Sequence, residues 1–141
     1  MTFSTQPTEK PGLIFSALCH CTDCRKLTAS TFSSLVTVDD QYLRHVRGQD
    51  KLTQFTTTTT PASGRAMTNY FCSRCGTLMY RKSEDRPTWS ICRLGTIDDF
   101  NLAETKLRPS MEIYTKDRCA WLLALEGAAQ SDASPGRLSR I

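Results

Sequence analysis

Short apolar and β-branched runs separated by turn residues fill most of the chain, a pattern that predicts strands rather than long helices. Residues 13–18 form a compact apolar run that reads as a buried strand delivering the chain into Cys19. After Cys24 a short polar turn or helix runs to about Ser30. Residues 31–38 are rich in β-branched side chains and stop at Asp39-Asp40, a turn signal. Residues 42–46 alternate and end before Gly48, and a further strand begins over 52–55. The threonine run over 56–60 meets Pro61, Ser63 and Gly64, so it reads as an exposed strand end opening into a loop.

Residues 68–71 and 77–81 form the arms of a hairpin with cysteines at its tip. Residues 88–94, closed by Gly95 and the Asp98-Asp99 turn, and residues 111–114 complete the strands. Trp121, Leu122 and Leu125 fall at helical spacing, which predicts one short amphipathic helix over 117–125. The expected organisation is a flexible lead-in over 1–12, a single domain over 13–126, and a flexible Ala/Ser/Gly/Pro-rich tail over 127–141. The fold class is mainly β.

Composition narrows the function classes. The chain has 141 residues, enough for one domain with a modest core, and a net charge of +4. Its Lys and Arg are scattered rather than striped, which argues against a nucleic-acid surface. No apolar run approaches the roughly 18 residues of a membrane span. The first twelve residues are polar and lack the apolar stretch of a secretory signal. The expected location is therefore the cytoplasm, with the nucleus as the other reducing compartment. There, seven cysteines read as metal ligands or reactive thiols before disulfides.

Five of the seven fall into two clusters. The first is Cys19-His20-Cys21-Thr22-Asp23-Cys24. Side chains at i and i+2 of a strand point the same way, so Cys19 and Cys21 face one point while His20 faces away. The Cys21-x-x-Cys24 turn adds a third sulfur. Three thiolates at about 2.3 Å from one zinc ion put the sulfurs within about 4 Å of one another and leave the site with a net charge of about −1. Either a fourth protein ligand, such as Cys72, Cys75 or His20, closes the site, or the position stays open for water or substrate. Sulfur-rich coordination suits an incoming thiol. The second cluster, Cys72-Ser73-Arg74-Cys75-Gly76, has the form of a zinc knuckle, with glycine permitting a tight turn. Cys92 and Cys119 read as small buried residues, and His45 as a surface imidazole.

The first cluster with Arg25-Lys26-Leu27-Thr28-Ala29-Ser30, the segment Phe71 to Leu78 with Gly95-Thr96-Ile97-Asp98-Asp99, and Pro109 to Tyr114 with Arg118 and Trp121 resemble the glutathione-dependent formaldehyde-activating enzyme family, grouped with centromere protein V. The resemblance implies a β-tent of small antiparallel sheets around zinc. It implies that Cys19, Cys21 and Cys24 hold a catalytic zinc, and that Cys72 and Cys75 belong to a separate structural zinc. The activity it implies is that of a carbon–sulfur lyase on S-hydroxymethylglutathione, the adduct of glutathione and formaldehyde. Two departures stand out. An early Cys-x-Cys that completes the structural zinc in the family has no counterpart before Cys19, so that site is expected to be weak or empty, with Cys92 as the one cysteine near enough to substitute. Ala29 stands where glycine is common.

Glutathione is anionic, which makes Arg25 and Lys26 candidates for its carboxylates, although two solvated helix charges account for them equally well. Thr28 and Ser30 either donate hydrogen bonds to a ligand or cap the turn. Two function classes follow: a zinc lyase acting on glutathione–aldehyde adducts, or a non-catalytic zinc module of the same fold. A fourth protein ligand at the first cluster would mark the module.

Overall fold

The computed structural model of the chain describes residues 2–3, 11–59, 61 and 63–134. The expected strands form with small shifts at their ends. In chain order the elements are β1 (Thr2–Phe3), β2 (Leu13–Cys19), α1 (Thr22–Thr28), β3 (Ser33–Asp39), β4 (Leu43–Arg44), β5 (Leu52–Thr57), β6 (Met67–Cys72), β7 (Leu78–Ser83), β8 (Arg86–Arg93), α2 (Phe100–Glu104), β9 (Met111–Ile113) and β10 (Ala129–Ser131). The fold is mainly β, and no helix among the described residues is long and apolar enough to cross a membrane.

Eight strands join in the order β10-β9-β2-β3-β8-β7-β6-β5, and β1 pairs with β4 apart from them. The small antiparallel sheets expected from the family resemblance are thus joined in one ladder. Its middle is antiparallel, but β9 runs parallel to β2 and to β10. The crossover that returns β9 beside β2 is fixed by Ser16 and Ser110. Ser16 Oγ donates to the Arg108 carbonyl at 2.8 Å, and the Ser110 backbone N–H donates to the Ser16 carbonyl at 3.1 Å.

Strand alternation then divides the sheet into two faces. Val36 pairs with Cys92, and Cys92 with Tyr80. These three, with Val38, Leu94 and Leu107, form the apolar core on one side. Ala17 pairs with Leu35, Leu35 with Arg93, and Arg81 with Ile91. These residues share the opposite face with Cys19, two positions beyond Ala17. The burial of two arginines on this face marks it as the chemically distinct side of the sheet.

The helix expected over 117–125 does not form. A 3-10 turn over Thr115–Asp117 is followed by irregular turns, with Trp121 72% exposed and Leu123 also exposed. The apolar spacing there has no buried surface to face, and the segment's polar groups turn to Glu112 instead. The Leu125 backbone N–H donates to Glu112 Oε2 at 2.9 Å, and Arg118 Nη1 donates to the same oxygen at 2.9 Å. The α-helices among the described residues are α1 and the short α2, which the turn signal at Asp98-Asp99 hid. The expected tail carries β10 in its first part, while residues 135–141 lie outside the described residues, as does most of the expected lead-in.

Helix α1 ends on Ala29, which takes left-handed values (φ 49°, ψ 40°) while its N–H reaches back to the carbonyls of Arg25 and Lys26. A β-carbon is costly in that conformation and glycine is not. Ala29→Gly is therefore expected to raise the unfolding free energy by about 1 kcal/mol, read as a higher urea midpoint with an unchanged slope.

Candidate metal centre

The three cysteines of the first cluster converge. Cys19 closes β2, Cys21 is the N-cap of α1, and Cys24 lies in its first turn. The Cys19 and Cys21 sulfurs are 3.5 Å apart, and all three sulfurs lie within 4.8 Å of one another. Cys21 Sγ also accepts the Cys24 backbone N–H at 3.3 Å, so the helix start holds this sulfur in place. All three residues are buried. The donor set and spacing fit a single thiophilic metal ion.

Sulfurs this close compete for protons. Cys19 is raised, first by its hydrogen bonds to Cys21 and Cys24 and then by burial. Cys21 is lowered by the bond it receives from Cys19, but Cys24 and burial outweigh this and push it up to about 11. Cys24 is held well below the ordinary thiol range by the bonds from Cys19 and Cys21, with Arg93 and Arg81 adding to the effect against burial. Metal binding replaces this sharing of protons with three thiolates.

His20 points away from the sulfurs, as alternation requires. It is fully buried, and its Nε2 lies 2.9 Å from Glu112 Oε1. Among the described residues no fourth His, Cys, Asp or Glu joins the three-cysteine group. Cys72, Cys75 and His20, the candidates to close the site, are all elsewhere. The open side is a cleft of about 330 Å³ that the three cysteines share with Phe15, Trp89, Tyr114, Arg65, Arg81 and Arg86, within the size range of small-molecule sites. The Arg86 guanidinium sits 4.5 Å from the centre of the Trp89 ring. Tyr114 adopts a left-handed backbone (φ 57°). Burial, then the cysteine charges, pushes its phenol up, so it remains a hydrogen-bond donor at neutral pH.

Arg25 and Lys26, expected to meet a ligand's carboxylates, do not line this cleft. Arg25 Nη1 donates to the Asp117 carbonyl at 3.1 Å, and Lys26 is exposed on the outer side of α1. Thr28 resolves as a turn-stabilising residue, its hydroxyl donating to the Cys24 carbonyl at 2.8 Å. The arginines that reach the cleft come from the β6–β8 side. Arg81 could have been found from alternation: a charged residue one position after the core-facing Tyr80 must lie on the cysteine face.

The second cluster forms the tip of the β6–β7 hairpin. The Gly76 N–H donates to the Cys72 carbonyl at 2.8 Å, and the Cys72 N–H to the Thr77 carbonyl at 2.9 Å. Gly76 has φ 73°, which explains the glycine. Among the described residues no third ligand atom converges with Cys72 and Cys75. Cys92 is not a substitute, because it lies buried on the core face with its thiol directed at the Ser90 carbonyl. His45 is half-buried against Tyr80 rather than free on the surface.

Cys75 is exposed and its thiol is held low, chiefly by the Thr77 hydroxyl 3.2 Å away. Burial pushes Cys92 up to about 12. Alkylation of the folded protein at pH 7.5 is expected to modify Cys75 first and Cys92 only after unfolding, with peptide mass spectrometry giving the order.

No curated protein matches the chain. A family model does, that of the glutathione-dependent formaldehyde-activating enzyme, and its match over residues 2–117 takes in β2, α1, both cysteine clusters and β9. On the extent of that match, the chain belongs to the glutathione-dependent formaldehyde-activating enzyme family.

Proposed function

We propose that this protein is a zinc-dependent carbon–sulfur lyase acting on glutathione–aldehyde adducts of the S-hydroxymethylglutathione type. The observation that carries the reading is the three-cysteine cluster, buried, without a fourth protein ligand among the described residues, and open to a cleft lined by aromatic side chains, by Arg65, Arg81 and Arg86, and by Asp23 and Asp85. Cys19, Cys21 and Cys24 would hold the zinc. When bound there, zinc supplies Lewis-acid stabilisation of a thiolate.

The chain's own residues account for the remainder. Arg65 and Arg86, which line the cleft, would pair with the carboxylates of glutathione in place of Arg25 and Lys26, which do not line it. Trp89, Phe15 and Ile91 give the cleft an apolar wall that excludes water from the reacting carbon. The Tyr114 hydroxyl, at the wall of the cleft, would donate a hydrogen bond to the hydroxyl oxygen of the adduct. In the lyase direction the adduct hydroxyl gives its proton to solvent at the mouth of the cleft, its O–H electron pair becomes the second carbon–oxygen bond, and the C–S pair leaves with sulfur as the glutathione thiolate.

The purified protein is expected to hold one zinc per chain, because the pair Cys72–Cys75 lacks further ligands among the described residues. It is expected to bind glutathione by calorimetry and to release formaldehyde from a preformed glutathione adduct. A metal-loaded protein that binds neither glutathione nor its adduct would instead be the non-catalytic zinc module.

A further inference from the structure

Two arginines are buried on the cysteine face, and their charges are not balanced by carboxylates alone. Arg81 is 3% and Arg93 5% exposed. Arg81 lies on β7 and Arg93 on the neighbouring β8, and both side chains point to the face that carries Cys19. Arg81 Nη2 donates to Asp23 Oδ2 at 2.8 Å, and Arg81 Nη1 approaches Cys24 Sγ at 3.7 Å. Arg93 Nη1 donates to the neutral Ser33 hydroxyl at 2.6 Å. Arg81 Nε and Arg93 Nε and Nη2 are buried without a hydrogen-bond partner among the described residues.

A guanidinium does not shed its proton in a protein, so a buried one needs a negative partner. Asp23 offsets one of the two charges. The remaining charge, that of Arg93, lies on the same face of the sheet as Cys19, and the three sulfurs carry about −1 when thiolates hold a divalent ion. Binding the ion with loss of the remaining thiol protons leaves three thiolates around a divalent ion, a cluster of net charge about −1. Nearby cations therefore favour the metal-bound form, although they repel the free ion. A fourth ligand that is itself an anion adds a further negative charge, and the same two cations favour it over a neutral one.

We propose that Arg81 and Arg93 are positioning residues that serve as the buried countercharge of the cysteine cluster, strengthening metal binding and selecting an anionic thiolate over a neutral fourth ligand. This rests on the metal reading of the cluster. The test measures Co²⁺ affinity by competition with a chromophoric chelator. It then measures the affinity of the Co²⁺-loaded protein for mercaptoethanol and for neutral imidazole from the metal absorption bands. Arg81→Gln and Arg93→Gln keep a donor but lose the charge, and each is expected to weaken Co²⁺ binding roughly 10- to 100-fold. Mercaptoethanol affinity should fall with it while imidazole affinity is retained, and Arg81→Lys and Arg93→Lys should recover most of both losses.

Glutamine variants that fold and bind Co²⁺ and mercaptoethanol like the unsubstituted chain overturn the countercharge and leave the metal reading standing. An unsubstituted chain that binds no Co²⁺ overturns both. If neither glutamine variant folds, the lysine variants decide. Retained affinity for Co²⁺ and mercaptoethanol upholds a role for charge, and loss of both overturns it.

Discussion

Cys19→Ser, Cys21→Ser and Cys24→Ser are each expected to purify with little or no zinc and to lose adduct cleavage. A tetrahedral zinc site is worth on the order of 10 kcal/mol or more in small domains, so one thiolate of the set carries about 3 kcal/mol, or roughly a 100-fold change in affinity. The three sulfurs converge within 4.8 Å, and among the described residues no further His, Cys, Asp or Glu joins them to replace a lost one. Cys92→Ser is the control. Its thiol sits among Val36, Tyr80 and Leu94 on the opposite face, so zinc content should be unchanged whatever happens to stability. Zinc measured by mass spectrometry on folded protein reads both results. Full zinc content in all three cluster variants would remove the metal centre and the lyase with it.

The convergence of those cysteines was legible in the sequence because it depends only on local geometry. The i, i+2 alternation of a strand and the turn of a C-x-x-C act over six residues, and both are written in Cys19 to Cys24. The strands were legible for the same reason, through short β-branched runs between turn signals. What the chain order did not show is what lies across the sheet. Arg81 and Asp23 are far apart in sequence yet 2.8 Å apart in space, and they meet because β7 sits three strands from β2 in the ladder. Arg25 and Lys26, the residues expected to meet a ligand's carboxylates, lie off the cleft for the same reason. Arg25 and Lys26 neighbour the cysteines in sequence, but one turn of helix points them away, while residues of the distant hairpin fill the cleft. The helix expected around Trp121 failed in a related way. Its apolar spacing was real, but a long-range carboxylate claims Arg118 and the Leu125 N–H.

That carboxylate, Glu112, is where the largest loss of stability away from the metal ligands is expected. It is 1% exposed and joins three parts of the chain. Its Oε1 meets His20 between two of the clustered cysteines. Its Oε2 accepts from Arg118, from Leu125 N–H, and from Gln130 Nε2 at 2.7 Å on β10. Glu112→Ala strands a half-buried arginine, a buried imidazole and a backbone donor together, and removing one member of such a network costs about 3–5 kcal/mol. Glu112→Gln keeps the shape and one acceptor and should cost less. Burial pushes the Glu112 carboxyl up, but the bonds from Leu125, Gln130 and His20 and the charge of Arg118 outweigh it and hold the group below the ordinary 4.5. A carboxylate lower in the folded than in the unfolded chain lends stability that is complete above the unfolded value and is lost as pH falls through the folded one. The unsubstituted protein should therefore lose stability below about pH 4.5 more steeply than Glu112→Gln. Both proteins keep the cysteine cluster, so acid release of metal affects them alike and the difference in their thermal midpoints isolates the carboxylate. Parallel midpoint curves for the two proteins from pH 7 to pH 3 would show that Glu112 is not held as a charged hub of this fold.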